Sequence, residues 1–341
     1  VGLSRADDGV AAVTTSYLSA VAFGLPAALA NRVFVALNAA VSRPKVTMII
    51  NLAALALKVP LNALFMDGAG PIPAMGGGGA GVATALIAWF SVGAAALIWR
   101  YDPFYHRFRS PTLHGPRWSS LRELLRLGIP IGLSTLFEVS SFTIMAVLIA
   151  RLGATAVAGH QIVANLISLL FMVPLAIGIS ASVLVAQSLG AGDARTARRA
   201  TLRGFRLSIG IAFATALAIW VFRHSLISLY TPDASVISVA LSLIGLAAVF
   251  HLFDAFQGVA VFTLRGYKTT FWPMIIYGVA LWGIGVAGGY WLAFSTTLFG
   301  PPRGPRGFWE AATVALAVAA VALTWLTFAV SARRARVTRQ E

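Results

Sequence analysis

Residues Arg126–Gly192 read RLGIPIGLSTLFEVSSFTIMAVLIARLGATAVAGHQIVANLISLLFMVPLAIGISASVLVAQSLGAG. Leu127–Ala150 forms an apolar run of roughly 24 residues, long enough at about 1.5 Å per residue to cross the hydrocarbon core of a bilayer. A short turn around Gly153 leads into a second apolar run. The stretch therefore predicts two consecutive membrane-spanning helices. Glu138 interrupts the first, close to its middle. An ionisable side chain at that depth is costly, which makes it a candidate functional residue.

The rest of the chain has the same character. Of 341 residues, 58% are hydrophobic and 11% charged, and the mean hydropathy is +0.83. Soluble domains are about 45–50% apolar, so the class is an integral membrane protein. The net charge of +15 would suit a nucleic-acid partner, but the basic residues lie in short loops beside apolar runs, where they set orientation. No nucleic-acid partner is expected. There is no cysteine, which excludes disulfides and thiolate metal sites. Val1–Val10 is polar and acidic, unlike a cleavable signal peptide.

Nine spans are expected, near 11–41, 46–66, 80–99, 127–150, 154–189, 207–222, 236–264, 270–292 and 309–330. The longest polar stretch, 100–126, carries six arginines together with Pro103, Pro111 and Pro116 and reads as a linker between two bundles. This divides the chain into 1–99 (three spans), the linker 100–126, and 127–341 (six spans and a basic tail). SSLRELLR (119–126) reads as a capped amphipathic entry to the fourth span, and GDARTARRATLRGFR (192–206) as the start of an interfacial helix. Alternate loops hold 19 of the 26 lysines and arginines and the opposite loops five, with Arg32 and Lys58 inside spans. The positive-inside rule then puts the C-terminus in the cytoplasm and residue 1 outside.

A faint repeat aligns GLPAALANRVF…SRPK (24–45) with GLAAVFHLFDAF…LRGYK (245–268), both copies running in the same direction. Parallel repeats of this kind are found in two-bundle transporters. The second half has six spans and the first only three, so the repeat predicts three further spans, roughly 120 residues, ahead of Val1.

Only Glu138 and Asp254 among the eleven acids lie deep inside spans, near mid-membrane. Ser134 and Ser141, at i−4 and i+3, share the helix face of Glu138, and His251 and Gln257 flank Asp254 at i−3 and i+3. Oxygen-rich sets of this kind suit a small hard cation, and a buried carboxylate suits a proton. Two roles stay open at this point. The acids either couple ion movement to transport or bridge helices through hydrogen bonds. His251 either relays protons or bonds within the bundle, and His160, Gln161 and Asn165 read as helix-packing polar groups. Phe137, Phe142, Phe253 and Phe256 are candidates to line a cavity for aromatic cations, or ordinary core residues. Lys58 and Arg32 are unusual inside spans. The latter is expected to pack into the bundle.

The motifs L-G-I-P (127–130), F-E (137–138), A-G-H-Q-I (158–162), F-M-V-P-L (171–175) and L-G-A-G-D (189–193) resemble the start of the second half of multidrug and toxic compound extrusion (MATE) transporters of the NorM-like branch. D-x-x-Q (254–257) followed by L-R-G-Y-K (264–268) resembles the family's tenth helix. The resemblance covers the whole chain, from the family's fourth helix onward. It implies an all-α polytopic fold of two six-helix bundles, and a secondary antiporter exporting organic cations or drugs in exchange for protons or sodium ions. Glu138 and Asp254 match the family's cation-coupling acids and would be the place for a sodium ion. It further implies no cofactor beyond the coupling ion, small cationic or amphipathic substrates, a monomer, and residence in the bacterial inner membrane. Because the family's first helix also carries a coupling acid, the family activity is expected of a chain that includes it. A lipid-linked oligosaccharide flippase of the same superfamily and an inactive fragment are the alternatives. The two mid-membrane acids favour the antiporter over the flippase, whose cavities tend to be cationic. An intramembrane enzyme is not expected, since no His-Glu-x-x-His, Asp-Asp-x-x-Asp or Gly-x-Ser-x-Gly set lies at membrane depth.

Overall fold

In a computed structural model, residues 8–109, 115, 117–296 and 300–337 are described, with the side chains of 8, 10 and 337 excepted. Arg5, Pro111, Pro116 and Arg339 lie outside the described residues. Nine helices among the described residues are long and apolar enough to span a membrane: α1 (Asp8–Ala40), α2 (Pro44–Asp67), α3 (Gly77–Tyr101), α4 (Trp118–Ala150), α5 (Ala154–Gly190), α6 (Ala194–Ser228), α7 (Ala234–Gly266), a composite span Phe271–Phe294, and α10 (Pro305–Val337). The composite span consists of α8 (Phe271–Tyr277), a π-helical segment Gly278–Gly288 and α9 (Gly289–Phe294). All nine expected spans are found, most of them extended by a few residues. Two differ more. The fourth starts at Trp118, so the expected entry helix is continuous with the span, and Arg117 at its head provides no side-chain cap. The basic stretch after Gly192 is likewise the first part of a single 35-residue α6, capped by Asp193.

The chain divides into two compact units, Val1–Gly115 and Pro116–Glu341. The stretch read as a linker is thus shared between them. Its first part joins the first unit because a 3₁₀ turn, Pro103–Phe108, folds onto the end of that unit. Tyr105 is fully buried there and donates a 2.6 Å hydrogen bond to Asn38 Oδ1. Arg43 pairs with Asp102 at 2.7 Å and lies over the Phe104 ring. The Phe104 backbone N–H and the Arg43 side chain hold the Asp102 carboxyl below its usual range.

Small residues set helix spacing within this unit, as they do where lipid supplies no hydrophobic drive for helix association. A Cβ on Gly81 would lie 2.7 Å from the Tyr17 carbonyl oxygen, and one on Gly79 would run into the Phe65 carbonyl. These contacts seat α3 directly on the backbones of α1 and α2. Arg32 is exposed within the unit and Lys58 half-buried, and neither forms an ion pair among the described residues. The expected packing of Arg32 into the bundle is therefore not what its own unit shows.

In the second unit α7 is the central element. It carries the longest run of buried side chains and packs on α5, α6 and α10. Gly159 of α5 lies against Val239, and Gly258 of α7 against Phe171. Trp309 of α10 is fully buried, donates to His160 Nδ1 at 3.2 Å and meets Phe250 edge-on at 5.6 Å. Asn165 accepts from Tyr230. These polar contacts tie α5 to α10 and to the turn after α6. Gln161 is exposed.

Candidate functional site: paired carboxylates inside the second bundle

Glu138 on α4 and Asp254 on α7 come together in the interior of the second unit. Asp254 is buried and Glu138 half-buried, and the charge of Glu138 acts on the Asp254 carboxyl. Gln257, one turn on from Asp254, connects the elements. Its Nε2 donates to Asp254 Oδ1 at 2.8 Å, and its Oε1 accepts a hydrogen bond from the hydroxyl of buried Tyr277. The Gln257 amide also acts on the Glu138 carboxylate. Arg265, in the last turn of α7, stacks its guanidinium 4.3 Å from the centroid of the Phe262 ring and interacts electrostatically with Glu138 and Tyr277. Three elements, α4, α7 and α8, thus converge on five polar side chains within an apolar bundle.

Local sequence explains the convergence. Gly278, directly after Tyr277, lets the Phe137 ring approach so closely that an added Cβ would sit 3.3 Å from it. That contact brings α8 against α4 beside Glu138. Gly278 also opens the π-helical segment GVALWGIGVAG, whose four glycines add the conformational freedom that suits a departure from α-helical winding.

The other expected site residues behave differently. Ser134 and Ser141 are buried, but their hydroxyls donate to carbonyls of their own helix, those of Pro130 and Glu138. His251 is fully buried and turns toward α6, where Nε2 meets Thr215 Oγ1 at 3.0 Å. Its Nδ1 has no hydrogen-bond partner among the described residues. Phe137 lies on Gly278, Phe142 meets Phe250 edge-on, Phe256 packs near Phe205, and Phe253 lies against the core. Phe142 lines a cavity of about 20 Å³, room for roughly one water and far below the ~300–1,000 Å³ of a drug-sized site.

Two members of the network were not singled out in the sequence. Arg265 lies just past the expected end of the seventh span at residue 264, yet it belongs to the last turn of α7. The hydroxyl of Tyr277 gave no signal, since tyrosine is ordinary in a span. The D-x-x-Q spacing was the legible part.

The family model described as MatE matches residues 130–291, an interval holding Glu138, Asp254, Gln257, Arg265 and Tyr277. Over 327 residues the chain is 42% identical to a "Probable multidrug resistance protein NorM" of Aromatoleum aromaticum, with 95% of this chain and 70% of that protein covered. The chain belongs to the MATE family.

A second MATE relative, also a "Probable multidrug resistance protein NorM", comes from Chromobacterium violaceum. It is 37% identical over 322 residues, covering 93% of this chain and 68% of that protein. A crystal structure of MATE in the bent conformation superposes with a TM-score of 0.84 at 18% identity, covering 98% of this chain and 72% of that one. This likeness establishes the fold. The two-bundle architecture read from the sequence is therefore that of MATE transporters, and the protein is a multi-pass membrane protein.

Proposed function

We propose that this chain serves in a secondary antiporter that exports cationic, drug-like compounds, and that Glu138 and Asp254 couple export to the movement of protons or sodium ions. One observation carries the reading. Inside an apolar bundle, where ionisable groups are costly and mark ion pathways, Asp254 is hydrogen-bonded through Gln257 to Tyr277, and a second carboxylate, Glu138 of a different helix, acts on it electrostatically. A group that takes up a cation in one state and releases it in another gives that ion different affinities for the two states, and only such a difference can drive a conformational change. The names of the NorM relatives support multidrug substrates. Residence in the bacterial inner membrane, a cytoplasmic C-terminus and a monomeric state belong to the same proposal.

The test is efflux of ethidium or norfloxacin under imposed proton and sodium gradients. It uses cells expressing this chain preceded by the three helices that the resemblance implies, taken from the Aromatoleum relative. Asp254→Asn is expected to reduce gradient-driven efflux to background at unchanged membrane abundance, and Glu138→Gln nearly so. Amide replacement preserves size and hydrogen bonding and removes only the charge. Glu123→Gln, which breaks an exposed contact to Lys268, should stay near wild type. Efflux at wild-type rate by both Asp254→Asn and Glu138→Gln would remove these acids from the mechanism.

A further inference from the structure

We propose that the groove between α5 and α6 holds an anionic phospholipid, with the acyl chain along its apolar part and the phosphate at Arg199 and Arg203. The groove encloses about 520 Å³. Its lining runs from Ser188, Thr196 and Arg199 beside the α5–α6 turn to Ala176, Ile177 and Leu207 farther along the two helices, with Arg203 one helical turn before Leu207. Its polarity follows that of the helix. The 22 residues of α6 from Leu207 to Ser228 span about 33 Å, enough to cross the hydrocarbon core. The arginine-bearing turns before Leu207 therefore lie at the membrane–water interface. A lipid has the same order, with its headgroup at the interface and its chain in the hydrocarbon.

The cations are available to a ligand. No ion pair among the described residues uses Arg195, Arg198, Arg199 or Arg203. The neighbouring acid, Asp193, feels the charge of Arg199, but its carboxylate is engaged at the helix cap. Oδ1 accepts from the Thr196 backbone N–H and Oδ2 from the Thr196 hydroxyl. The hydroxyls of Ser180 and Ser188 donate to carbonyls of their own helix, so headgroup recognition falls to the guanidiniums, whose fork matches a phosphate. Arg199 also lines an adjoining hollow of about 430 Å³ with Arg195, Arg198 and Arg336, which extends the cationic end toward α10. Basic pockets between helices on one membrane face are suited to anionic headgroups.

Native mass spectrometry of the purified 341-residue chain tests this, with dioleoylphosphatidylglycerol and dioleoylphosphatidylcholine added separately. The phosphatidylglycerol adduct should dominate. The double variant Arg199→Gln/Arg203→Gln should weaken it roughly 25-fold, from the usual contribution of two cations near an anionic surface, whereas Arg223→Gln at the far end of α6 should not. Arg199→Lys/Arg203→Lys keeps the charge and should retain most of the binding. Ala176→Phe, which fills the apolar end, should weaken it with the arginines in place. Equal binding of the two lipids, or full preference in both the Gln double variant and Ala176→Phe, overturns the proposal. So does displacement of the lipid by millimolar inorganic phosphate, which would mark an anion site without an acyl groove. A dimer lost on Arg199→Gln/Arg203→Gln would place a second copy of the chain there and overturn it as well.

Discussion

Gln257 holds its amide in one orientation, because Nε2 donates to Asp254 while Oε1 accepts from Tyr277. An amide can otherwise rotate and exchange its two ends. Without the hydroxyl of Tyr277, Gln257 Oε1 loses its donor and only the Nε2 bond to Asp254 holds the amide. Tyr277→Phe keeps the ring against its neighbours and removes only that hydroxyl. A buried hydrogen bond contributes about 1 kcal/mol net, so efflux in the Tyr277→Phe protein should fall roughly fivefold. Its pH profile should also move, which a purely packing role for Tyr277 would leave unchanged. A profile superimposable on wild type would separate Tyr277 from the coupling network. Asp254 and Gln257 were legible in the sequence because a polar group is conspicuous among apolar ones. Arg265 was not, since a cation near a span's end reads equally well as loop or helix, and only the turn in which α7 stops assigns it.

The element that shapes the site is the long α7, and glycines set how closely it approaches α5. A Cβ on Gly266 would lie 2.7 Å from the Ser182 carbonyl oxygen and 3.1 Å from a Val185 methyl. The nearest atom belongs to backbone and cannot rotate away. Gly266→Ala should therefore destabilise the bundle by about 1–3 kcal/mol through overpacking. Gly210→Ala on α6, where a Cβ meets nothing within 4 Å, should be neutral or stabilising by up to about 1 kcal/mol. Thermal unfolding in detergent, followed by tryptophan fluorescence, checks both. Similar melting temperatures for the two variants would refute the close-contact argument. The π-helical segment is an element the sequence did not disclose. Apolar periodicity finds a span of 20-odd residues, but it does not register whether the winding is α or π.

For the whole molecule, the distribution of arginine and lysine predicts which face is cytoplasmic. Loops beside Arg195 and Lys268 belong to the basic side and the Gly68–Gly76 loop to the other. Cysteine at Arg195 should be labelled by an impermeant maleimide only from the cytoplasm, and cysteine at exposed Met75 only from outside. The chain contains no native cysteine to interfere. Labelling of both from the same side would break the nine-span topology. The same charge asymmetry places the arginines of the α5–α6 groove at one interface, which is where an anionic headgroup would meet them.

By itself the sequence determined the class, the spans and the two acids deep inside them. These follow from local quantities: the length of an apolar run, the depth of a charge within it, and the sign of the charges at its ends. Only the tertiary structure decided that Glu138 and Asp254, 116 residues apart, come within electrostatic reach of one another, and that Gln257 links Asp254 to Tyr277. It also turned the hydroxyls of Ser134 and Ser141 onto their own helix, directed His251 toward Thr215, and gave the phenylalanines of the second bundle packing partners. Helical periodicity specifies which residues share a face, but not which helix that face meets. That choice depends on where glycines such as Gly159, Gly258, Gly266 and Gly278 permit close approach across the bundle.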